Sequence, residues 1–290
     1  MGLTADAPAV ETEDERAGAK AERLVVERVR AALPPEYRLY PNVKWIGRTA
    51  DHRGLRDGEA DWFDALQLLL VDPADDVMYV FHDPAQALYR DDVVERLRLT
   101  PRDLVWNCRN PQAIHEAVAR LADGGLSADA LRPGGRAPEV IEVSTPAQTL
   151  EAMRTLLLRL RHDEKVAARD IAVLSGVGLD HSDVWRQRRF GSETLWNGQV
   201  DADGRPNGLA AELVPPQPAG TILCDSIRRF KGLERPVVVL AELPADDPRL
   251  KRLLYVGLSR ARRHVALVVS VEVAQELRRF SEDSGRSSTQ

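Results

Sequence analysis

Five segments of the chain are almost unbroken runs of aliphatic residues: Val140–Val143, Ile171–Leu174, Thr221–Cys224, Val237–Leu240 and Val265–Val269. A strand with one wet face alternates apolar and polar residues. Near-continuous Val/Ile/Leu instead marks strands buried on both faces, as in a parallel sheet. Helix starts alternate with these strands. Thr145-Pro146 places a small polar N-cap before a proline at the first helical position, and Gln148 completes a capping box. The same signature predicts starts at Asp83-Pro84, Asn110-Pro111 and Asp247-Pro248. Between 140 and 174, Leu150, Met153, Leu157 and Leu160 recur on one helical face, which makes the segment a strand–helix–strand unit. The expected fold is therefore α/β, a parallel sheet with helices on both faces over 101–280. Residues 249–264 read as a helix before the last strand, and Gly191 to Gly220, rich in Gly, Pro and Asn, read as a long loop.

The rest of the chain is less regular. Residues 1–17 are acidic and Ala/Pro-rich and read as disordered, as does the polar stretch 281–290. A helix is expected over 18–33, short strands near Tyr37 and Val43, a loop over 48–58, a helix over 62–70 and a buried strand at 78–81. No apolar stretch is long enough for a membrane helix, and the N-terminus lacks the apolar core of a secretory signal. Cys108 and Cys224 are too few for a disulfide framework, so a reduced, cytoplasmic setting is expected. Net charge is −5, yet the segment from Arg228 to Arg263 holds ten Lys/Arg against four Asp/Glu. Such a local excess suits phosphate contacts; its ordinary alternative is a solvated helix face.

The segment 226–243, SIRRFKGLERPVVVLAEL, followed by 252–269, RLLYVGLSRARRHVALVV, resembles the last two motifs of UvrD/Rep-type superfamily 1 helicases. Upstream, YVFHDPAQALYR is similar to their strand–Asp-x-x-Gln motif, and RLTPRDLVWNCRNPQAI to their Asn–aromatic–Arg motif, with Cys108 at the aromatic position. All four stand in the family's order. The resemblance implies a RecA-like second motor domain over 101–280, with 62–100 a remnant of the first, and a site for ATP and Mg²⁺ between such domains. It assigns Gln86 to sensing the γ-phosphate, Arg109 and Arg260 to arginine-finger roles, and Gly232 and Glu234 to the nucleotide's sugar. Ser226 falls near single-stranded DNA in that scheme, with Arg228, Arg229 and Lys231 in the adjoining basic turn; Arg228 stands where many relatives carry His. Each assignment has a local alternative. Gln86 could complete a capping box with Asp83, Arg109 could pair with a surface carboxylate, and Arg260 could cap a helix C-terminus.

The lysines limit what such a chain can do. Phosphate-binding loops of these motors end in Gly-Lys-Ser/Thr, with Lys on the β/γ oxygens and the hydroxyl on Mg²⁺. The five lysines are followed by Ala21, Trp45, Val166, Gly232 and Arg252, so no Walker A sequence is present. The acidic magnesium-binding pair is missing too, unless GEAD at 58–61 is its trace. The segment 18–61 resembles the opening of the nuclease-related (NERD) domain, a small α+β unit in which Asp61, with Glu22 on the first helix, would be a metal-binding acid. Its Glu-x-Lys element is absent: the residues two before each lysine are Gly18, Asn42, Asp163, Arg229 and Arg249. Three functions stay open. One is a UvrD-like ATP- and DNA-binding helicase-family protein that is not an independent ATPase. Another is a non-catalytic nucleic-acid- or partner-binding module. The third is a subunit lending Arg109 and Arg260 to a partner protein that carries Walker A.

Overall fold

The computed structural model describes Asp83, Gln86 and residues 105–122, 128–208 and 214–287, all within one compact unit of the chain. The elements expected over 18–33, near Tyr37 and Val43, and over 48–58, 62–70 and 78–81 lie outside the described residues, as do Asp61 and Glu22. The strands are β1 (Trp106–Pro111), β2 (Asp129–Arg132), β3 (Glu139–Val143), β4 (Ile171–Ser175), β5 (Arg189–Phe190), β6 (Glu193–Trp196), β7 (Thr221–Ser226), β8 (Arg235–Ala241) and β9 (Ala261–Ser270). The helices are α1 (Gln112–Ala119), α2 (Pro146–Leu158), α3 (Asp183–Gln187), α4 (Leu250–Leu258) and α5 (Val271–Ser287).

Seven strands form one sheet in the order β3-β9-β8-β4-β7-β6-β5. Every neighbouring pair is parallel except β5–β6. The aliphatic runs fill its centre, and β4 is buried at all five positions. Their alternate side chains feed two separate cores, as the two-residue period of a strand requires. Val237, Val239, Ala266 and Val268 join Met153, Leu156 and Leu157 of α2 and Leu160 of the π-helical turn that follows it. Val238, Leu240, Val265 and Leu267 join Ile114 of α1, Leu253 and Leu254 of α4 and Val273 of α5. Helices thus cover both faces, as the sequence predicts. The cap of α2 is also as expected: Thr145 Oγ1 accepts from the Gln148 N–H at 3.2 Å. The reciprocal bond differs from the expected capping box: Gln148 Oε1 accepts from the Ser144 N–H at 2.7 Å, one residue before the N-cap.

Several boundaries differ from expectation. At Asn110-Pro111 the chain stays extended through Pro111 and helix α1 opens at Gln112. The buried Asn110 amide donates instead to the carbonyls of Ser259 (3.2 Å) and Ala261 (2.7 Å), so a contact across the fold takes the residue that local chemistry assigned to a cap. At Asp247-Pro248 the helix begins at Leu250, because the Asp247 carboxylate and carbonyl hold a turn by accepting from the N–H groups of Arg249 and Leu250, each at 2.8 Å. The helix expected over 249–264 ends at Leu258. The Arg260 carbonyl accepts from the Arg235 N–H at 3.1 Å, and Ala261 enters the sheet opposite Arg235. The segment read as a loop over 191–220 contains β6, paired with β7. Helix α5 runs to Ser287, into the stretch read as a disordered tail, supported on its polar side by the Arg279–Glu276 pair one turn apart. No helix among the described residues is long and apolar enough to cross a membrane.

One charged cluster sits beneath α2, where Glu139 of β3 accepts from Arg159 at 2.6 Å. His264 of β9 lies beside it, 6 % exposed and 3.6 Å from the Glu139 carboxylate, with neither ring nitrogen hydrogen-bonded. Burial, and then Arg136, hold its pKa below the ordinary value, so at neutral pH the contact joins a carboxylate to a neutral ring. A base with a depressed folded pKa stabilises the fold above its unfolded value, about 6.5, and loses that contribution as pH falls through it. Glu139, held low chiefly by its bond to Arg159, adds a loss of the same sign at more acid pH. The melting temperature of the wild-type protein should therefore fall between pH 7.5 and 5.5. His264→Leu should flatten that part of the profile, and an unchanged slope would refute the assignment.

Candidate functional site

The expected site residues separate into two groups at opposite edges of the parallel sheet. Ser226 ends β7, and Arg228 and Arg229 follow it at the edge where strands finish. Glu234 precedes β8 and Arg260 precedes β9, at the edge where strands begin.

Arg260 is the centre of the second group. It follows α4 directly and is 1 % exposed, one of the largest fully buried side chains among the described residues. Its Nε donates to the Val256 carbonyl at 3.0 Å, which is the helix-end contact that local reasoning allows. One terminal nitrogen donates to Ser259 Oγ at 2.8 Å and to Gln86 Oε1 at 2.9 Å, and the other lies 3.5 Å from the Leu233 carbonyl. All these acceptors are neutral. Burial and the Arg109 guanidinium push the Arg260 pKa down to about 10, against the opposing pull of Asp83 and Glu234. It stays charged at neutral pH, so the site carries a buried cation that contacts no anion among the described residues.

Around it stand Arg109, Glu234, Gln86, Asp83 and Tyr255. Arg109 of β1 donates to Glu234 at 2.7 Å, the carboxylate pairing that its local alternative predicts, and Arg262 approaches the other Glu234 oxygen at 3.5 Å. Arg109 and Glu234 are each more than a third exposed, so solvent screens the pair, which contributes less than about 1 kcal/mol. Gln86 Nε2 donates to Asp83 Oδ2 at 2.6 Å. That differs from a capping box, in which the glutamine side chain would accept from the Asp83 N–H. Tyr255 Oη donates to the same Asp83 oxygen at 3.0 Å, and burial together with Asp83 drives the phenol pKa upward. Gly232 adopts φ +89 with open space where a Cβ would stand, a backbone form that glycine takes without strain.

The other edge is occupied differently. Ser226 is buried and its hydroxyl accepts from the Arg229 N–H at 3.3 Å. Arg228 pairs with Asp247 at 3.0 Å and donates to the Gly176 carbonyl at 3.3 Å. Arg229 pairs with Asp225 at 3.4 Å and donates to Gln199 at 2.6 Å. Arg228 thus takes its carboxylate from within the basic segment itself, and Arg229 takes its own from one turn earlier, at the end of β7. Lys231 lies in the turn between the two groups. Cys108 and Cys224 are free thiols, on β1 and β7. Sequence reasoning missed the parts played by Tyr255 and Arg262. The one signal for Tyr255 is a polar-tipped aromatic in an otherwise aliphatic helix face, where a buried hydroxyl needs a partner.

A family model described as the UvrD-like helicase C-terminal domain matches residues 221–268, the stretch from β7 through β9. The solved C-terminal domain of a possible DNA helicase from Lactobacillus plantarum WCFS1 is similar to this chain at 18% identity. That similarity covers 58% of this chain and 92% of the other, with a TM-score of 0.40. No curated protein matches the chain.

Proposed function

We propose that this chain supplies the arginine-bearing half of a nucleoside-triphosphate site of the UvrD-like helicase type, and that it does not turn over ATP by itself. The observation that carries this is Arg260, a buried guanidinium that touches only neutral acceptors and has a second guanidinium, Arg109, as its electrostatic neighbour. A buried cation with a second, partly exposed cation beside it favours a multiply charged anion over a single carboxylate. A phosphoryl oxygen can take the place of Gln86 Oε1 on Arg260, and phosphate charge can draw Arg109 from its screened pair with Glu234. Both arginines then oppose charge that builds on a transferring phosphoryl group.

The described residues do not fit Mg²⁺. Asp83 and Glu234, the carboxylates of this site, already accept from Gln86 and Tyr255 and from Arg109, beside two guanidinium groups. No group of three His, Cys, Asp or Glu among the described residues could hold a metal ion. No Gly-Lys-Ser/Thr occurs in residues 1–290, so in this reading the lysine and hydroxyl of an ATPase are supplied from outside these residues, by a domain bearing Walker A. Single-stranded DNA is the natural second ligand of such a motor, and the edge carrying Ser226, Arg228 and Arg229 would face it. The ion pairs at that edge weigh against a module that binds nucleic acid by charge alone.

An ATPase assay with and without single-stranded DNA tests this reading. The pure chain should show no turnover, and Arg260→Ala should abolish any stimulation of a Walker A partner. Sustained ATP hydrolysis by the pure chain would refute it.

A further inference from the structure

Tyr255, Asp83, Gln86 and Arg260 form a chain of hydrogen bonds that leaves helix α4 at Tyr255, passes through Asp83 and Gln86, and returns at Arg260 just beyond the helix end. Tyr255 Oη and Gln86 Nε2 both donate to Asp83 Oδ2, at 3.0 and 2.6 Å. Gln86 Oε1 then accepts from Arg260 at 2.9 Å. The two ends of the glutamine amide meet partners that cannot exchange roles, because a carboxylate only accepts and a guanidinium only donates. Its orientation is therefore dictated. Reversing the amide would set its NH₂ against Arg260 and its carbonyl against Asp83, two repulsive contacts in place of two bonds. Tyr255 is 4 % exposed on α4 and holds the Asp83 oxygen from the same helix that carries Arg260 at its end.

We infer that Asp83 and Tyr255 are positioning residues of this site: the Tyr255–Asp83–Gln86 chain sets the glutamine amide so that its oxygen steers the Arg260 guanidinium without neutralising it. The inference rests on reading the site as one that receives phosphate. A carboxylate in place of Gln86 Oε1 would quench the cation, whereas no acceptor there would leave its terminal nitrogens to turn onto nearby carbonyls. The amide acts as a neutral placeholder. It can do so only while Asp83 consumes its N–H group.

The test titrates the full chain with inorganic tripolyphosphate at low ionic strength, reading affinity by calorimetry and the Gln86 side-chain amide by NMR with ¹⁵N-glutamine labelling. Tyr255→Phe, which removes one hydrogen bond to the Asp83 carboxylate, should weaken binding about fivefold, and Asp83→Asn, which weakens both bonds to that oxygen, about tenfold. The Gln86 amide signal should shift in both. In a Gln86→Ala background neither change should weaken binding further, since the residue they act through is gone. Asp83→Asn carries the same comparison with the Tyr255 side chain itself left in place. Equal losses with and without Gln86, or no loss in either variant, would overturn the positioning role and leave the phosphate reading standing. Absence of saturable binding by the wild-type chain would overturn both.

Discussion

Arg260→Met should abolish tripolyphosphate binding while leaving the melting temperature unchanged or raised. Burying a guanidinium costs several kcal/mol of hydration, and here no contacting anion repays it. Arg109 adds repulsion, and the lowered Arg260 pKa has the same origin. Methionine fills a similar volume without that cost. Few groups lose their partners on the change: Ser259 Oγ still donates to the Val256 carbonyl at 2.9 Å, and the half-buried Gln86 amide can reach water. Replacing a buried ionic group by an apolar one of similar size is often neutral or stabilising, by about 1–4 kcal/mol. Function should move the other way. Loss of an arginine finger costs about 10³-fold or more in phosphoryl-transfer rate, so partner-stimulated turnover should fall by at least that factor. Arg260→Lys should fail to rescue, because an ammonium cannot reproduce the planar fork that reaches Val256, Ser259 and Gln86 together. Melting and titration on the same preparation check both halves. A large drop in melting temperature with binding retained would show that Arg260 is a structural residue only.

Leu157→Ala should have the opposite profile, a loss of stability with the site intact. Leu157 is fully buried on α2 and shares a core with Met153, Leu160, Val173 and Val239. Truncation removes three carbon atoms and leaves a cavity between helix and sheet, at a cost of about 2–5 kcal/mol. The urea midpoint should fall with little change in the denaturant slope, since the same surface is exposed on unfolding. Affinity for tripolyphosphate per folded molecule should not change, because α2 covers one face of the sheet and α4, which carries Tyr255 and leads to Arg260, covers the other. Glu151→Ala on the exposed side of the same helix is the control, and should cost less than about 0.5 kcal/mol. A cost for Leu157→Ala as small as the control's would mean that α2 does not pack as described.

The core was readable because its signals are local. Most of the aliphatic runs became central strands, and Met153 and Leu157 became the buried face of α2, with Leu160 in the turn that follows it and Leu150 at its margin. Thr145 capped it as expected, since an N-cap bond spans three residues and little else competes for it. Asp247-Pro248 lost to a local turn, whereas two other expectations lost to contacts from far away. Asn110 has the chemistry of an N-cap, but the carbonyls of Ser259 and Ala261 offered its amide a buried partner that no local pattern discloses. The residues 261–264 have helical neighbours and a charged composition, yet pairing with β8 drew them into a strand.

The same division runs through the site. Sequence alone determined which side chains were available: the ordered motifs singled out Gln86, Arg109, Glu234 and Arg260, and the residues following the five lysines showed that no Walker A sequence accompanies them. Tertiary structure decided how those side chains are used. It brought Gln86 to Arg260 across 174 positions, set Arg109 on Glu234 across 125, and added Tyr255 and Asp83 as the frame. It also placed Ser226, Arg228 and Arg229 at the opposite edge and gave the two arginines carboxylate partners. The physical reason is the range of the interactions. Strand periodicity and helix caps act between near neighbours in sequence, whereas the charge state and availability of an arginine depend on every dipole and ion that folding brings within a few ångströms.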